Sequence, residues 1–264
     1  MIAVGPFLWR HNIIWLCVVT RFSQVNEQIL LGVAWCREDE VRLFEMHPEV
    51  FMFDVTMQTN CERRPLGIGA AVDQNMNVFT PIRVFMPSQQ AWVMEWIFGT
   101  CLPTLLGKES LSRTQLVLTD GDRQMYGAFD NNQEDFYPEA KHGLCMYHLI
   151  NKGLERLKCK IRRQDKKRVK DILHTFKITC FTWFQIGGVE SLEEFLLSEK
   201  AIRQWLYDLH TDEKEDKDVR HNAMVLDNFL LNNVLPHKKR FLICLRNGKR
   251  TLDYRSNSAL EGKC

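Results

Sequence analysis

The chain has 264 residues, 45% hydrophobic and 26% charged, an ordinary globular composition that excludes collagen-like, low-complexity and wholly disordered classes. With 35 Lys and Arg against 33 Asp and Glu, the formal charge is only +2, so any nucleic-acid surface must come from how the charges are distributed. No apolar stretch approaches the roughly 20 residues that span a bilayer, and the nine cysteines, odd in number and without a Cys-x-x-Cys pair, argue for small buried thiols in a reducing compartment rather than a disulfide framework.

In chain order, Ile13 to Val19 is apolar and has no small-residue cleavage site after it, which favours a buried strand over a signal-peptide core. Polar Ser23 to Glu27 separates it from a second apolar run, Ile29 to Trp35, and the pair predicts a β-hairpin. Charged Arg37 to Glu45 predicts a helix that offers Val41, Leu43 and Phe44 to a core and stops at His47-Pro48. Val50 to Thr56, Pro65 to Val72 and Val78 to Phe85 read as an antiparallel meander, with turn chemistry over Asp73 to Asn77.

Ser88 to Leu106 predicts a helix with Trp92/Trp96 and Val93/Ile97 on a buried face, kinked or ended by Pro103. Leu116-Val117-Leu118 is a short strand leading into Thr119-Asp120-Gly121-Asp122, and Asp122 suits the N-cap of a following helix. Ala140 to Leu144 predicts a further strand, and Cys145 to His148 opens another helix. Beyond Leu149 the pattern is helical and charged in blocks. Residues 151–171 carry ten Lys/Arg against three Asp/Glu, 190–218 ten Asp/Glu against four Lys/Arg, and 236–250 six Lys/Arg and no acid. The order of elements predicts an α/β core followed by a helical region.

Two acids stand out. Asp54 lies within a strand that is otherwise apolar, where an ionised carboxylate is costly unless compensated. Asp120 follows the end of another apolar strand, the place where open sheets commonly bind ligands. Neighbouring strands would bring both carboxylates to one point, a donor set for hard cations such as Mg²⁺ and for two-metal phosphoryl transfer. The plainer reading is that an Asp at a strand end is a turn former or a cap. Cys145 and His148 form a lone Cys-x-x-His with no second pair to complete a zinc site, and a structural pair at a strand–helix corner is the simpler reading. Trp92, Trp96, Trp183 and Trp205 read as core. The basic run, with Lys158, Lys160, Arg162, Arg163, Lys166, Lys167 and Arg168, reads either as a solvated helix face or as a phosphate-binding stripe.

Several of these segments resemble the motifs of Mutator-like element (MULE) transposases. Pro48 to Asn60, with an apolar strand delivering Asp54 ahead of Thr56 and Thr59-Asn60, resembles the family's opening motif. Leu116 to Asp122 resembles the second, and His142 to His148 the Cys-x-x-His signature. Ser256 to Gly262 resembles the third, where Ser-rich residues precede Glu261. The resemblance runs from about residue 12 to the C-terminus. It implies an α/β, RNase H-like mixed sheet with a large helical insertion before the last acidic residue, and a DDE triad of Asp54, Asp120 and Glu261 as catalytic residues and ligands for two Mg²⁺ or Mn²⁺ ions. The implied activity is metal-dependent DNA strand cleavage and transfer without a covalent protein intermediate. Cys145 and His148 are then auxiliary residues that orient the site or a DNA strand.

On this reading the chain divides into a hairpin and helix over 1–47, a core with the first two acids over 48–149, a helical insertion over 150–250 and a C-terminal segment with the third acid over 251–264. The implied partners are transposon ends and target DNA, together with a second copy in a homo-oligomer; no membrane is expected, and the implied location is the nucleus. Departures from the pattern are the end of the chain three residues after Glu261, Cys264 where an Asn is common, and a start directly at the core. They predict a fragment, with the helix bearing Glu261 short and prone to fray. A transposase-derived, non-catalytic DNA-binding or regulatory protein is the alternative. An unrelated α/β protein with coincident motifs is a third reading, and it predicts that Asp54 and Asp120 lie far apart.

Overall fold

The structure, a computed structural model, describes residues 2–9, 12–22, 28–57, 59–164, 166–183, 189 and 191–241, with backbone only for 2–9, 12–22, 28–29 and 241. The chain forms two compact units, one containing Met1–Gly143 and the other spanning Leu144–Gly248. Eight strands make one sheet: β1 (Ile2–Trp9), β2 (Asn12–Phe22), β3 (Gln28–Arg37), β4 (Val50–Thr56), β5 (Leu66–Val72), β6 (Val78–Phe85), β7 (Leu116–Thr119) and β8 (Lys141–Leu144), in the spatial order β1-β2-β3-β6-β5-β4-β7-β8. β2 and β3 pair antiparallel as the predicted hairpin. The meander β4-β5-β6 is also antiparallel, whereas β7 runs parallel to β4. This mixed sheet with flanking helices is the architecture that the RNase H-like expectation calls for.

β1 has no counterpart in the sequence reading. Gly5-Pro6 interrupts it, and such a pair normally punctuates a strand. β1 is an edge strand, one of the few places in a sheet where proline is found.

Strand alternation sorts the core. Phe51 and Phe53 point to one face with Ala71, Ile82 and Val84. There they meet α1 (Glu38–Met46), through Phe44, and the helical stretch Ala91–Leu105, through Val93, Met94, Ile97, Phe98 and Leu102. α5 (Arg123–Phe136) adds Met125, Ala128 and Phe129. Phe98 lies edge-on to Phe53, Phe129 and Tyr137, with ring centroids 5.6, 6.4 and 6.3 Å away. Tyr137 is buried and donates its hydroxyl proton to the Phe98 carbonyl at 2.9 Å; burial pushes its phenol pKa well up, so the donor stays neutral. Each fully buried large side chain here contributes about 1.5–3 kcal/mol through apolar burial.

The predicted helix 88–106 is neither ended nor left regular by Pro103. It runs as α2 (Ala91–Trp96), a π-helical turn (Ile97–Cys101) and α3 (Leu102–Leu105), with Pro103 in the first turn of α3. The wider turn just before the proline accommodates a ring that would otherwise strike the carbonyl four residues back. Trp92 is 44% exposed rather than core, and its indole N–H donates to Gln90 Oε1 at 3.0 Å; Trp96 and Trp183 are buried, and Trp205 is partly so. Gly107, at φ 83°, turns the chain into the short α4 (Lys108–Ser112).

Beyond Leu144, the regular elements described in the second unit are all helical. A π-helical turn (Tyr147–Lys152) leads into α6 (Gly153–Arg156), followed by α7 (Lys167–Thr182), α8 (Leu192–Thr211), α9 (Lys217–Phe229) and a final stretch that ends in α10 (Lys238–Phe241). Phe176, Cys180, Trp183, Phe195, Ile202, Leu206, Leu226 and Phe229 fill its core. Ser191 caps α8 by accepting the Glu194 N–H at 3.1 Å, with the Ser-x-x-Glu spacing of a capping box. Among the described residues no helix is long and apolar enough to cross a membrane.

Gly69 allows β5 to lie close under the core. A Cβ there would strike Ile82 Cγ2 and sit 2.8 Å from the Phe51 ring, and both neighbours are fully buried. Gly69→Ala is therefore expected to destabilise the protein by about 1–3 kcal/mol, the usual cost of overpacking. Urea denaturation checks this, and an unchanged midpoint contradicts it.

Candidate functional site

The site begins with strand register. β4 and β7 pair Val50 with Leu116, Phe51 with Val117 and Met52 with Leu118. Paired residues share a face of the sheet, so Val50, Met52, Leu116 and Leu118 form an apolar patch with Ala70 and Val72, opposite the face that carries Phe51 and Phe53. Asp120 is the first residue past β7, and the same register, continued two residues beyond Met52 and Leu118, leads from Asp54 to Asp120 on the patch face, towards the carboxyl ends of both strands. Both residues are half-buried, and Oδ1 of Asp54 is fully so. The reading in which these two acids lie far apart runs against the β4–β7 pairing, which ends two residues short of them.

Across the sheet from Asp54 stands Ile68 on β5, and beyond it Arg83 on β6. The Arg83 guanidinium is held by both carboxylate oxygens of Glu40 on α1, at 2.6 and 2.7 Å. The one cation in this row is therefore bidentate with another acid, the geometry in which an Arg–carboxylate pair is strongest.

Asp120 and Asp122 have separate roles. Asp122 caps α5, accepting the N–H groups of Gln124 at 2.7 Å and Met125 at 3.4 Å, as the sequence predicts. Asp120 Oδ1 accepts the Asp122 N–H at 2.9 Å, which fixes the rotamer of its carboxylate as the chain leaves β7. Thr119, fully buried, donates its hydroxyl proton to the Asp120 carbonyl at 2.9 Å and stands 2.8 Å from His142 Nε2. A hydroxyl has one proton, so with that proton on the carbonyl it accepts from Nε2, which assigns the His142 proton to Nε2. The His142 ring stacks on Phe129, 5.2 Å between centroids. Neither Thr119 nor His142 was given a role from the residues; the only signal was a Thr closing an apolar strand just ahead of the acid.

Two adjacent carboxylates repel unless a proton or a cation lies between them, and oxygen donors of this kind suit Mg²⁺ or Mn²⁺. The residues present fit such an ion. Glu261 lies outside the described residues, as does the expected frayed helix around it. Among the described residues no group of three or more His, Cys, Asp or Glu is placed to hold a metal.

Cys145 and His148 belong to the second unit. Cys145 is fully buried, and its carbonyl accepts the Leu149 N–H at 3.0 Å, opening the π-helical turn. His148 is half-buried, its ring edge-on to Tyr147 at 5.7 Å.

The basic run divides. Arg163 pairs with Asp218 at 3.7 Å, Lys166 with Asp216 at 2.9 Å, and Arg168 with Glu215. The Lys166 side chain, then the Asp218 N–H, hold the Asp216 carboxyl below its usual range. Lys158, Lys160, Arg162 and Lys167 are exposed and take part in no ion pair among the described residues. The backbone of Arg162 is tied down by buried Asn222, which accepts its N–H and donates to its carbonyl, both at 2.9 Å.

Thr119→Val keeps the shape of its side chain and removes the hydroxyl between His142 and the Asp120 carbonyl. It is expected to cost about 1–3 kcal/mol, because buried partners are left unsatisfied. Urea denaturation measures the loss, and wild-type stability in this variant contradicts the bridge.

Comparison with known proteins adds the following. No curated protein matches the chain. Among solved structures, the catalytic core domain of HTLV-2 integrase in complex with magnesium, in a trimeric form, matches at 14% identity over 66% of this chain and 93% of that one, with a TM-score of 0.25. The matching family model covers a shorter span than the motif resemblance and includes Asp54, Asp120, Cys145 and His148 but not Glu261. Over residues 50–152 the chain matches the model of the MULE transposase domain, the family that its motifs resemble.

Proposed function

We propose that this chain is the catalytic domain of a DDE-type transposase that cleaves and transfers DNA strands with Mg²⁺ or Mn²⁺. The observation that carries the reading is the parallel pairing of β4 with β7, whose register, continued two residues beyond Met52 and Leu118, leads to Asp54 and Asp120. The MULE domain match over 50–152 supports the same class. Asp54 and Asp120 hold the cation, with Glu261 as the third ligand by family resemblance. The bound ion supplies Lewis acidity at the scissile phosphate and lowers the pKa of the attacking water or 3′-hydroxyl.

The chain's own residues do the rest. Asp122, by its N–H, fixes the orientation of the Asp120 carboxylate. Thr119 and His142 brace the strand end from which Asp120 departs. The apolar patch of Val50, Met52, Leu116 and Leu118 keeps water from the inner side of the pair, where it would weaken the charges. Cys145 and His148 act as auxiliary residues. Transposon ends and target DNA are the substrates, the nucleus is the compartment, and a homo-oligomer is the working form. A second reading, a transposase-derived DNA-binding or regulatory protein without catalysis, is favoured by one observation: exposed Lys158, Lys160, Arg162 and Lys167 offer a phosphate-binding surface that needs no metal.

Thermal unfolding separates the two. A ligand that binds only the native state stabilises it, by about 2.7 kcal/mol at a hundredfold excess over Kd. Mn²⁺ is expected to raise the Tm of the wild type and to leave Asp54→Asn and Asp120→Asn unmoved, and Mn²⁺-dependent cleavage of a supercoiled plasmid is expected to vanish in the same variants. DNA binding without any Mn²⁺ effect on Tm or cleavage contradicts the catalytic reading and leaves the second.

A further inference from the structure

The second unit has a groove of about 430 Å³ that the carboxylate site does not use, a volume within the usual range of ligand pockets. One wall is a face of the helical stretch Tyr147–Arg156, carrying Tyr147, Asn151 and Leu154, with Lys158 in the turn just after it. The other is α7, through Leu173, His174 and Lys177. Ile161, on the connection between them, closes the floor with Leu154 and Leu173. The groove is thus apolar and aromatic below and cationic at its rim. Its one acid, Glu155, is held by Lys152 at 3.2 Å, and the same Lys152 ammonium lies over the Tyr147 ring at 5.6 Å. Lys158 and Lys177 have no carboxylate partner among the described residues, and the Lys177 ammonium lies over the Phe181 ring at 5.3 Å, a contact that leaves its charge open to an anion.

An aromatic ring on an apolar floor with two ammonium groups at the rim suits a ligand with a flat apolar face and a phosphate attached. A nucleotide in a single strand has that form. In a duplex the base faces are stacked away, whereas in a single strand they are open to an aromatic side chain. A phosphorylated peptide would satisfy the lysines and leave Tyr147 and the floor without purpose. We propose that this groove takes one unpaired nucleotide of a DNA strand, with its base on Tyr147 and its phosphate between Lys158 and Lys177. The choice of DNA over other polynucleotides rests on the function proposed above; the groove itself needs neither metal nor the carboxylate pair.

The test is fluorescence anisotropy of a labelled single-stranded oligonucleotide in EDTA, which takes the metal-dependent reading out of the measurement. The wild type is expected to bind the single strand more tightly than the matching duplex. Tyr147→Ala is expected to weaken binding by about tenfold, the lower range for loss of a stacked base, while Tyr147→Phe restores it. Combined Lys158→Gln and Lys177→Gln is expected to reduce the slope of log K against log salt by about 0.7 for each lysine, with Lys200→Gln on α8 unchanged. Equal binding by Tyr147→Ala and the wild type, equal binding of duplex and single strand, or tighter binding of a phosphopeptide than of DNA overturns the proposal. Absence of DNA binding in EDTA also overturns it, and the effect of Mn²⁺ on Tm then still decides the carboxylate site on its own.

Discussion

The parallel pairing of β4 with β7 is the constraint on which the candidate site depends. A slip of one residue in either strand would turn its acid to the opposite face, so the proposed carboxylate pair needs the register to hold. Apolar burial on both faces holds it: Phe51 and Val117 point into one core cluster, and Val50, Met52, Leu116 and Leu118 into another. The start of the ladder is fixed too, since the Glu49 carbonyl accepts the N–H groups of Gln115 and Leu116 at 2.9 and 3.0 Å. The hydrophobic pattern thus positions the charged residues, although none of the residues that set the register carries chemistry.

Charge is handled differently in the two units. In the first, Glu40 takes up Arg83, the cation in the row of Asp54, through two hydrogen bonds. On the proposed reading the two aspartates are neighbours, and a divalent cation is the partner that such a pair of oxygen donors suits. In the second unit, blocks of opposite sign that lie far apart in sequence meet in space. Glu215, Asp216 and Asp218 take up Arg168, Lys166 and Arg163, and Lys158, Lys160, Arg162 and Lys167 are among the cations left exposed. Exposed pairs of this kind add little stability; their consequence is to restrict where an anion can bind.

Much of this was legible in the sequence because it rests on local rules. The hairpin, the meander, the Asp122 cap and the end of α1 before Pro48 follow from alternation, turn chemistry and the conformational limits of proline. Asp54 was visible as an acid in an apolar strand, and the four motifs led to the family matched over 50–152. What was not legible depended on tertiary context. Gly5-Pro6 hid β1 because only its place at the sheet edge makes a proline acceptable there. Pro103 predicts a kink or an end to the helix, and the π-helical turn that accommodates it instead leaves no mark on apolar spacing. Trp92 shared the spacing of Trp96 but faces solvent, since a helix of such apolar content does not bury all of its large residues. The partition of the basic run was hidden because its acidic partners lie about fifty positions away.

The most direct test of the central claim is anomalous diffraction from crystals of the protein soaked in Mn²⁺. The account predicts a peak bonded to carboxylate oxygens of both Asp54 and Asp120, at the roughly 2.0–2.2 Å of a hard cation on oxygen. A peak at other residues, or none in crystals where these two side chains are clearly ordered, would contradict it.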